Sequence, residues 1–197
     1  EPTPYVPPTG PTEPSRATVD NNIFDINGSV DGGAMGFDTS RVKAYNNTIH
    51  NNNAALHGGA GYFGTTDSPT AGAEFVNNIV TTNQATGTGV GGGIWVISGT
   101  NPIVRFNDVW GNTPTNVAGA KTDADYIGVN GGISVDPLFV NPGAIPPNYH
   151  LLPASPVIEA GDNSVLAGIS TDYDGAPRIQ DKDYNGVATV DMGAFEY

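Results

Sequence analysis

Tyr45-Asn46-Asn47-Thr48-Ile49 decides the fold of this chain, because the sequence returns to this phrase at a nearly constant interval. Its variants lie at 20–24 (DNNIF), 76–80 (VNNIV) and 106–110 (FNDVW). The first asparagines of the four phrases are residues 21, 46, 77 and 107, so the intervals are 25, 31 and 30 residues. A further asparagine follows each phrase, at positions 27, 52, 83 and 112. Self-similarity at such an interval indicates a repeat protein in which each repeat is one structural turn.

A second, glycine-rich phrase keeps step with the first. Its copies are Gly32-Gly33-Ala34-Met35, Gly58-Gly59-Ala60-Gly61, Gly92-Gly93-Ile94-Trp95 and Gly131-Gly132-Ile133-Ser134. The apolar residues between the phrases come in short bursts, which is typical of strands and not of helices. Asparagine tolerates left-handed backbone geometry and can hydrogen-bond the same position one turn above and below, and glycine supplies the remaining bends. The pattern predicts an all-β solenoid of about four to five turns.

Composition and charge narrow the possible functions. The 197 residues include 27 Gly, 16 Pro and 20 Asn, which are poor in helix interiors, so all-α and doubly wound α/β folds are excluded. Lys and Arg total 7 against 20 Asp and Glu, giving a net charge of -13. That sign argues against nucleic acid and anionic membrane surfaces as partners. No apolar run approaches the roughly 18 residues of a membrane span, so we expect no membrane insertion.

The chain divides into three parts. Residues 1–14 contain six prolines and predict an extended arm, residues 15–135 hold the repeats, and residues 136–197 form a closing section. The arm has no evident role in a core, so we expect it to dock on a neighbouring copy. Its candidate contact residues are Pro4, Tyr5, Val6, Pro7 and Pro8.

The repeats resemble those of right-handed parallel β-helix proteins, whose fold is shared with pectate lyases. The closing section, together with Asn107-Asp108-Val109-Trp110-Gly111-Asn112, resembles the end of secreted β-helix proteins of the choice-of-anchor type. The phrases that carry this resemblance are 136–140 (DPLFV), 149–151 (YHL), 155–161 (SPVIEAG), 171–178 (TDYDGAPR) and 190–197 (VDMGAFEY). The resemblance implies a right-handed parallel β-helix with a loop-rich C-terminal cap, and a secreted or cell-surface location. It implies no particular activity.

The run Asp181-Lys182-Asp183-Tyr184-Asn185-Gly186 predicts a calcium loop. Its alternate positions carry oxygen ligands and its sixth is glycine, as at the start of an EF-hand loop. Asp191 lies near the position that would close the ligand shell, and Asp172 and Asp174 could add ligands or form a second site. The alternative is a solvated acidic turn that binds no metal.

The sequence gives no catalytic residues. Polysaccharide lyase chemistry needs acidic calcium ligands on one strand face beside a base, whereas Arg41, Lys43 and Arg105 show no acidic cluster at equivalent positions of adjacent turns. Trp95 and Trp110 could form a sugar-stacking platform, although such residues more often fill or cap a core.

Two functions from different classes remain. The first is a non-catalytic extracellular structural protein that self-associates through its N-terminal arm into a filament or surface array. The second is a carbohydrate-binding or polysaccharide lyase-like β-helix module. The expected partners are therefore further copies of the chain or an extracellular polysaccharide.

Overall fold

The computed structural model describes residues 17–38, 41–64, 72–86, 90–182 and 184–197. Strands of two to five residues follow one another around four stacked turns. The first turn contains β1 (Thr18–Asp20), β2 (Ile23–Asp25), β3 (Gly28–Asp31) and β4 (Met35–Phe37). The second contains β5 (Lys43–Tyr45), β6 (Thr48–His50), β7 (Asn53–His57) and β8 (Gly61–Phe63). The third contains β9 (Glu74–Val76), β10 (Ile79–Thr81), β11 (Gln84–Ala85) and β12 (Ile94–Val96). The fourth contains β13 (Ile103–Arg105), β14 (Asp108–Trp110) and β15 (Val117–Gly119).

Equivalent strands of successive turns pair in parallel and build four sheets. Their orders are β1-β5-β9-β13 (sheet one), β2-β6-β10-β14 (sheet two), β3-β7-β11 (sheet three) and β4-β8-β12-β15 (sheet four). A bridge between Gln84 and Thr113 continues sheet three into the fourth turn. This all-β arrangement of stacked parallel strands is the predicted β-helix.

The interior is filled by the inward-facing residues of all four sheets. Ile49, Phe75, Val80 and Ile94 are fully buried in one apolar cluster. Stacked rings continue the column in sheet four, where Phe37 and Phe63 lie 4.5 Å apart between centroids. Side chains alternate along each strand, so the other residues point outward and are available for contacts outside the solenoid.

Two asparagine ladders run through the stack, as the sequence predicted. In the first, each Asn side chain accepts from the backbone N–H and side-chain amide of its equivalent in the preceding turn, through Asn22, Asn47, Asn78 and Asn107. The second ladder contains Asn27, Asn52, Asn83 and Asn112, and ends at Asn116. The ladders satisfy buried polar groups at two bends of every turn.

The register differs from the sequence alignment in two places. Asn107 is equivalent to Asn78, so the last interval is 29 residues and Phe106 takes the left-handed bend that asparagine takes in the other turns. In the glycine phrase, Gly91 and not Gly92 aligns with Gly58 at the left-handed position. Gly131 and Gly132 lie beside Phe106 and Tyr126, away from that bend, and are not a fourth copy.

Residues 120–135 close the C-terminal end of the stack. The short helix α1 (Asp123–Tyr126) places Tyr126 against the core, and Asp123 accepts a hydrogen bond from the Val117 N–H. Asn130 and Ile133 then pair with the fourth turn as a partial fifth. Among the described residues, no helix is long and apolar enough to cross a membrane.

The closing section runs back along the outside of the solenoid, which corrects its expected position at the end. It contains β16 (Phe139–Asn141), β17 (Asn148–Leu151), a 3₁₀ turn (Asn163–Val165), β18 (Ile179–Gln180) and β19 (Thr189–Val190). Its two strand pairs are antiparallel. It covers the bend between sheets one and two, where Gly193 N–H donates to the Asn77 carbonyl and Ala194 N–H to the Thr48 hydroxyl. We call residues 136–197 in this position the clasp.

Candidate functional site

A cleft lies between the outer face of sheet one and one margin of the clasp. Lys43 and Glu74 are direct neighbours in the register of β5 and β9, and Arg105 projects from β13 two residues beyond Ile103, the register partner of Glu74. The opposite wall is formed by residues 164–169 of the clasp. The cleft has a volume of about 420 Å³ and adjoins a second hollow of about 510 Å³ that shares Thr18, Lys43 and Glu74.

The charged groups of the cleft form two connected pairs. The Lys43 Nζ lies 3.1 Å from a Glu74 carboxylate oxygen, and the Tyr45 hydroxyl donates to the other oxygen. Arg105 forms an ion pair with Asp162 of the clasp. Burial opposes ionisation of Glu74, but the hydrogen bonds from Tyr45 and Lys43 hold its pKa below the ordinary value. Burial, together with Glu74, raises the pKa of Tyr45, which therefore stays a neutral donor.

This arrangement contradicts one expectation from the sequence. Lys43 does have an acidic residue at the equivalent position of the adjacent turn, because an interval of 31 residues places Glu74 beside it. The interval of 31 residues is visible in the sequence. To recognise the pair, however, one must know which residues are aligned in the strands before and after the insertion at 64–72. Three of the seven Lys and Arg residues line the two hollows, namely Arg41, Lys43 and Arg105. Asp20 and Glu74 line the same hollows, so this face carries both signs of charge in a chain of net charge -13.

The residues of the predicted calcium site lie in different environments. Both oxygens of the buried Asp191 accept backbone N–H bonds, from Glu159 and Tyr197. The buried Asp172 likewise accepts from three backbone N–H groups, those of Asp174, Ala176 and Glu196. Their oxygens are therefore used in holding the clasp.

Of the other members, Asp174 and Asn185 are exposed and Asp181 is half-buried. Asp174 forms a 2.8 Å pair with His150, and Asp181 accepts from the N–H groups of Asn185 and Gly186. Asp183 lies outside the described residues. Within those residues, no group of three or more His, Asp or Glu side chains is placed to hold a metal ion. The calcium loop stays a prediction that depends on Asp181, Asp183 and Asn185.

The two tryptophans lie on different sheets and do not form one platform. Trp95 projects from β12 in sheet four and stacks on His57 with ring centroids 4.3 Å apart. Trp110 projects from β14 in sheet two and is 36% exposed. The proposed contact residues of the arm, Pro4 to Pro8, lie outside the described residues.

A buried ion pair that the sequence did not reveal ties the clasp to the first two turns. Arg178, 1% exposed, lies 2.8 Å from a carboxylate oxygen of Glu196 and also donates to Asn21 and to the Gly193 carbonyl. Burial and the nearby Asp191 raise the pKa of Glu196 to about 8, against the opposing effect of Arg178. These acids are structural groups of the clasp.

The family model for the right handed beta helix region matches residues 10–135. This chain is a member of that family. No curated protein and no solved structure matches the chain. The family contains both enzymes and proteins without catalytic activity, so membership alone does not decide between the two. The match ends at residue 135, and the likeness of 107–197 to choice-of-anchor proteins therefore stays a prediction.

Proposed function

We propose that this β-helix is an extracellular module that binds an acidic polysaccharide in the cleft over sheet one without cleaving it. The observation that carries the proposal is the group of Lys43, Glu74 and Arg105 on the outer faces of three adjacent strands, walled on one side by the clasp. Strands about 4.8 Å apart present their side chains at regular steps, which suits a ligand made of repeating units.

The charge distribution supports an anionic ligand. Arg41, Lys43 and Arg105 line the two hollows, while the rest of the chain is strongly acidic. These three cationic side chains are available to a uronate ligand, since Lys and Arg form charge-assisted hydrogen bonds with carboxylates. The Tyr45 hydroxyl and the Glu74 carboxylate can hydrogen-bond sugar hydroxyl groups.

The same contacts support binding over bond cleavage. A base that removes a proton must be available to accept it. Lys43 and Arg105 are each engaged by a carboxylate, and Tyr45 has a raised pKa. These groups are suited to recognising a ligand and poorly suited to abstracting a proton.

The test is affinity electrophoresis and titration calorimetry with sodium polygalacturonate and alginate, in parallel with a neutral glucan. We expect the acidic polymers to bind, and Lys43→Ala to weaken binding by about tenfold, the loss expected for one charged hydrogen bond. Lys121→Ala is the matched control, because Lys121 lies beside α1 and away from the cleft. Equal binding by all three proteins, or no binding, would overturn the proposal. The appearance of unsaturated sugar ends would show that the protein cleaves the polymer as a lyase.

A second candidate is self-association at the N-terminal end of the solenoid. Within the described residues, β1, β2, β3 and β4 each have a neighbouring strand on one side only. Phe24 is only partly buried there, whereas its equivalent Ile49 in the next turn is fully buried. Ile26 and Val30 are 75% and 59% exposed. Open strand edges beside apolar side chains favour pairing with another chain. The predicted arm leads directly into this end.

Light scattering coupled to size-exclusion chromatography tests this candidate. We expect the intact chain to form concentration-dependent oligomers that are lost on deletion of residues 1–14 and on substitution Val30→Lys. Val187→Lys is the control, since Val187 is 63% exposed but belongs to the clasp. A monomeric intact chain, or particles of unchanged size after the deletion, would contradict self-association through the arm.

A further inference from the structure

We propose that a second pocket, on the outer face of sheet two, binds one ring of a neutral sugar chain. This site is separate from the cleft over sheet one and does not depend on it. It lies along the other margin of the clasp, where residues 136–139 and 152 face β6, β10 and β14. Its volume is about 300 Å³, at the lower end of the range for small-ligand pockets.

The floor of the pocket is a register column. Asp25, His50, Thr81 and Trp110 occupy equivalent outward positions of β2, β6, β10 and β14. The last three line the pocket, and Phe139 and Asp136 complete its wall. An indole face beside a carboxylate, a hydroxyl and an imidazole combines an apolar surface for a sugar ring with polar groups for its hydroxyls.

The chemistry of His50 is fixed by its neighbours. Its Nδ1 lies 3.1 Å from an Asp25 carboxylate oxygen and 3.0 Å from the Tyr149 hydroxyl. Since a carboxylate only accepts, Nδ1 carries the proton that is donated to Asp25. In the tautomer that donates from Nδ1, Nε2 is the acceptor, and no described residue hydrogen-bonds that atom. His50 thus offers a preset acceptor to a sugar hydroxyl in the pocket.

The charges around the pocket indicate a neutral ligand. Among the described residues, neither Lys nor Arg lines this pocket, Asp136 is part of the lining, and Asp25 lies beside His50. A uronate carboxylate would meet repulsion here, in contrast to the cleft over sheet one. Trp110 supplies the exposed stacking face, as the sequence suggested for a sugar platform.

The fluorescence of Trp110 reports directly on this site. Trp95→Phe leaves Trp110 as the single tryptophan, because the chain contains two. In that background we would titrate cellohexaose, mannohexaose and chitohexaose, with hexagalacturonate as the anionic comparison. We expect a saturable change in Trp110 emission with at least one neutral hexasaccharide and none with hexagalacturonate.

Matched histidine variants separate the pocket from the general surface. His50→Ala should weaken binding by about tenfold, which is the loss expected for one oriented hydrogen bond. His57→Ala is the control, since His57 pairs with Asp31 at 2.7 Å in the same manner but in sheet three. If His50→Ala fails to fold by circular dichroism, His50→Gln takes its place. No saturable change with any neutral hexasaccharide, equal losses in both histidine variants, or tighter binding of hexagalacturonate would overturn the proposal.

Discussion

Asn21 and Arg178 are 157 positions apart in the chain, yet the Arg178 Nε donates to the Asn21 side-chain oxygen over 3.0 Å. Asn21 occupies the first bend of the first turn, and its own amide donates to the Thr171 carbonyl. Comparable bonds join Asn46 to Asp191 and Asn77 to Asp162. The outer asparagine of three successive turns is therefore bound by the clasp, which holds the turns together from the side.

We expect Arg178→Met to destabilise the protein by about 3–5 kcal/mol, because it leaves the Asn21 oxygen, the Gly193 carbonyl and the Glu196 carboxyl without their hydrogen-bond donor. The double variant Arg178→Met with Glu196→Gln should recover part of the loss, because a side-chain amide supplies donors of its own at this site. Urea unfolding measures both. Lys121→Met serves as the control, because Lys121 forms only a 3.8 Å pair at the surface. Equal losses in the single and double variants would contradict the argument.

The ladders should show a gradient of cost from their middle to their end. Asn78 is fully buried and bonds to ladder neighbours on both sides, whereas Asn22 is exposed at the first turn. Asn78→Ala leaves several buried groups without partners, at about 1–3 kcal/mol for each. Asn22→Ala should cost less than about 1 kcal/mol, since the Asn47 oxygen keeps its hydrogen bond from the backbone N–H of position 22. Similar unfolding free energies for the two variants would argue against the ladder as a buried network.

Asp108 should make stability fall as pH rises. It is buried, one oxygen accepts from the Val135 N–H, and the other has no partner among the described residues. Burial raises its pKa to about 7 from an ordinary value of 3.8. The native carboxyl thus keeps its proton over a range in which the unfolded one has lost it. The associated stability is complete below about pH 4 and declines by up to about 1.4 kcal/mol per pH unit until about pH 7.

Asp108→Asn removes that titration while keeping the acceptor for Val135. Burial raises the pKa of Asp191 to about 6 and that of Glu196 to about 8. These two acids therefore also make stability fall with rising pH, and they do so equally in the variant and the wild type. The difference in unfolding free energy between variant and wild type therefore isolates Asp108. We expect the unfolding free energy of the variant, measured by urea titration, to rise relative to that of the wild type between pH 4.5 and pH 7.5. Parallel pH profiles would show that Asp108 does not titrate in this range.

Two glycines in sheet four and its preceding bend should respond in opposite ways. A Cβ on Gly59 would overlap the Gly92 carbonyl and lie 2.5 Å from the Gln84 carbonyl oxygen, both of them backbone atoms. Gly59→Ala should therefore cost about 3 kcal/mol or more. A Cβ on Gly36 meets nothing within 4 Å, so Gly36→Ala should be neutral or stabilise by up to about 1 kcal/mol. Thermal unfolding of the two variants distinguishes these cases, and a Gly59→Ala protein as stable as wild type would contradict the packing.

Calcium binding at Asp181, Asp183 and Asn185 is tested by the melting temperature in calcium and in EDTA. A ligand bound only by the native state raises stability by mass action, so calcium should raise the melting temperature of the wild type. Asp181→Asn should remove that difference. Asp174→Asn should preserve it, because Asp174 lies outside the loop and pairs with His150. Identical melting curves in calcium and EDTA would show that this segment is an acidic turn that binds no calcium.

The repeat pattern predicted the fold because its signals are local. Asparagine at 21, 46 and 77 marked the left-handed bends, and the asparagine that follows each of them marked the stacked amides. Phe106 takes the same backbone conformation without that residue type, so the alignment shifted by one position in the fourth turn. That Lys43 and Glu74 are neighbours could be recognised only from the register of β5 and β9.

The acidic residues near the C terminus illustrate the opposite case. The alternate spacing of Asp172 and Asp174, and the position of Asp191 after the loop at 181–186, resemble a ligand set. In the structure, Asp172 and Asp191 instead bind backbone amides within the clasp. Long-range contacts of this kind leave no periodic trace in a sequence. The same limitation hid Arg178, whose main partners lie at opposite ends of the chain.

The clasp also determines when the solenoid can be completed. Successive β-helix turns contact mainly their neighbours, so a stack can in principle form turn by turn as the chain emerges during synthesis. Here the Asn21 side chain can form its hydrogen bonds with Thr171 and Arg178 only after those residues are synthesised, about 150 residues later. The Asn46 amide bonds to Asp191, which is made later still, so a chain interrupted before residue 171 lacks the clasp bonds of these two asparagines in its first two turns.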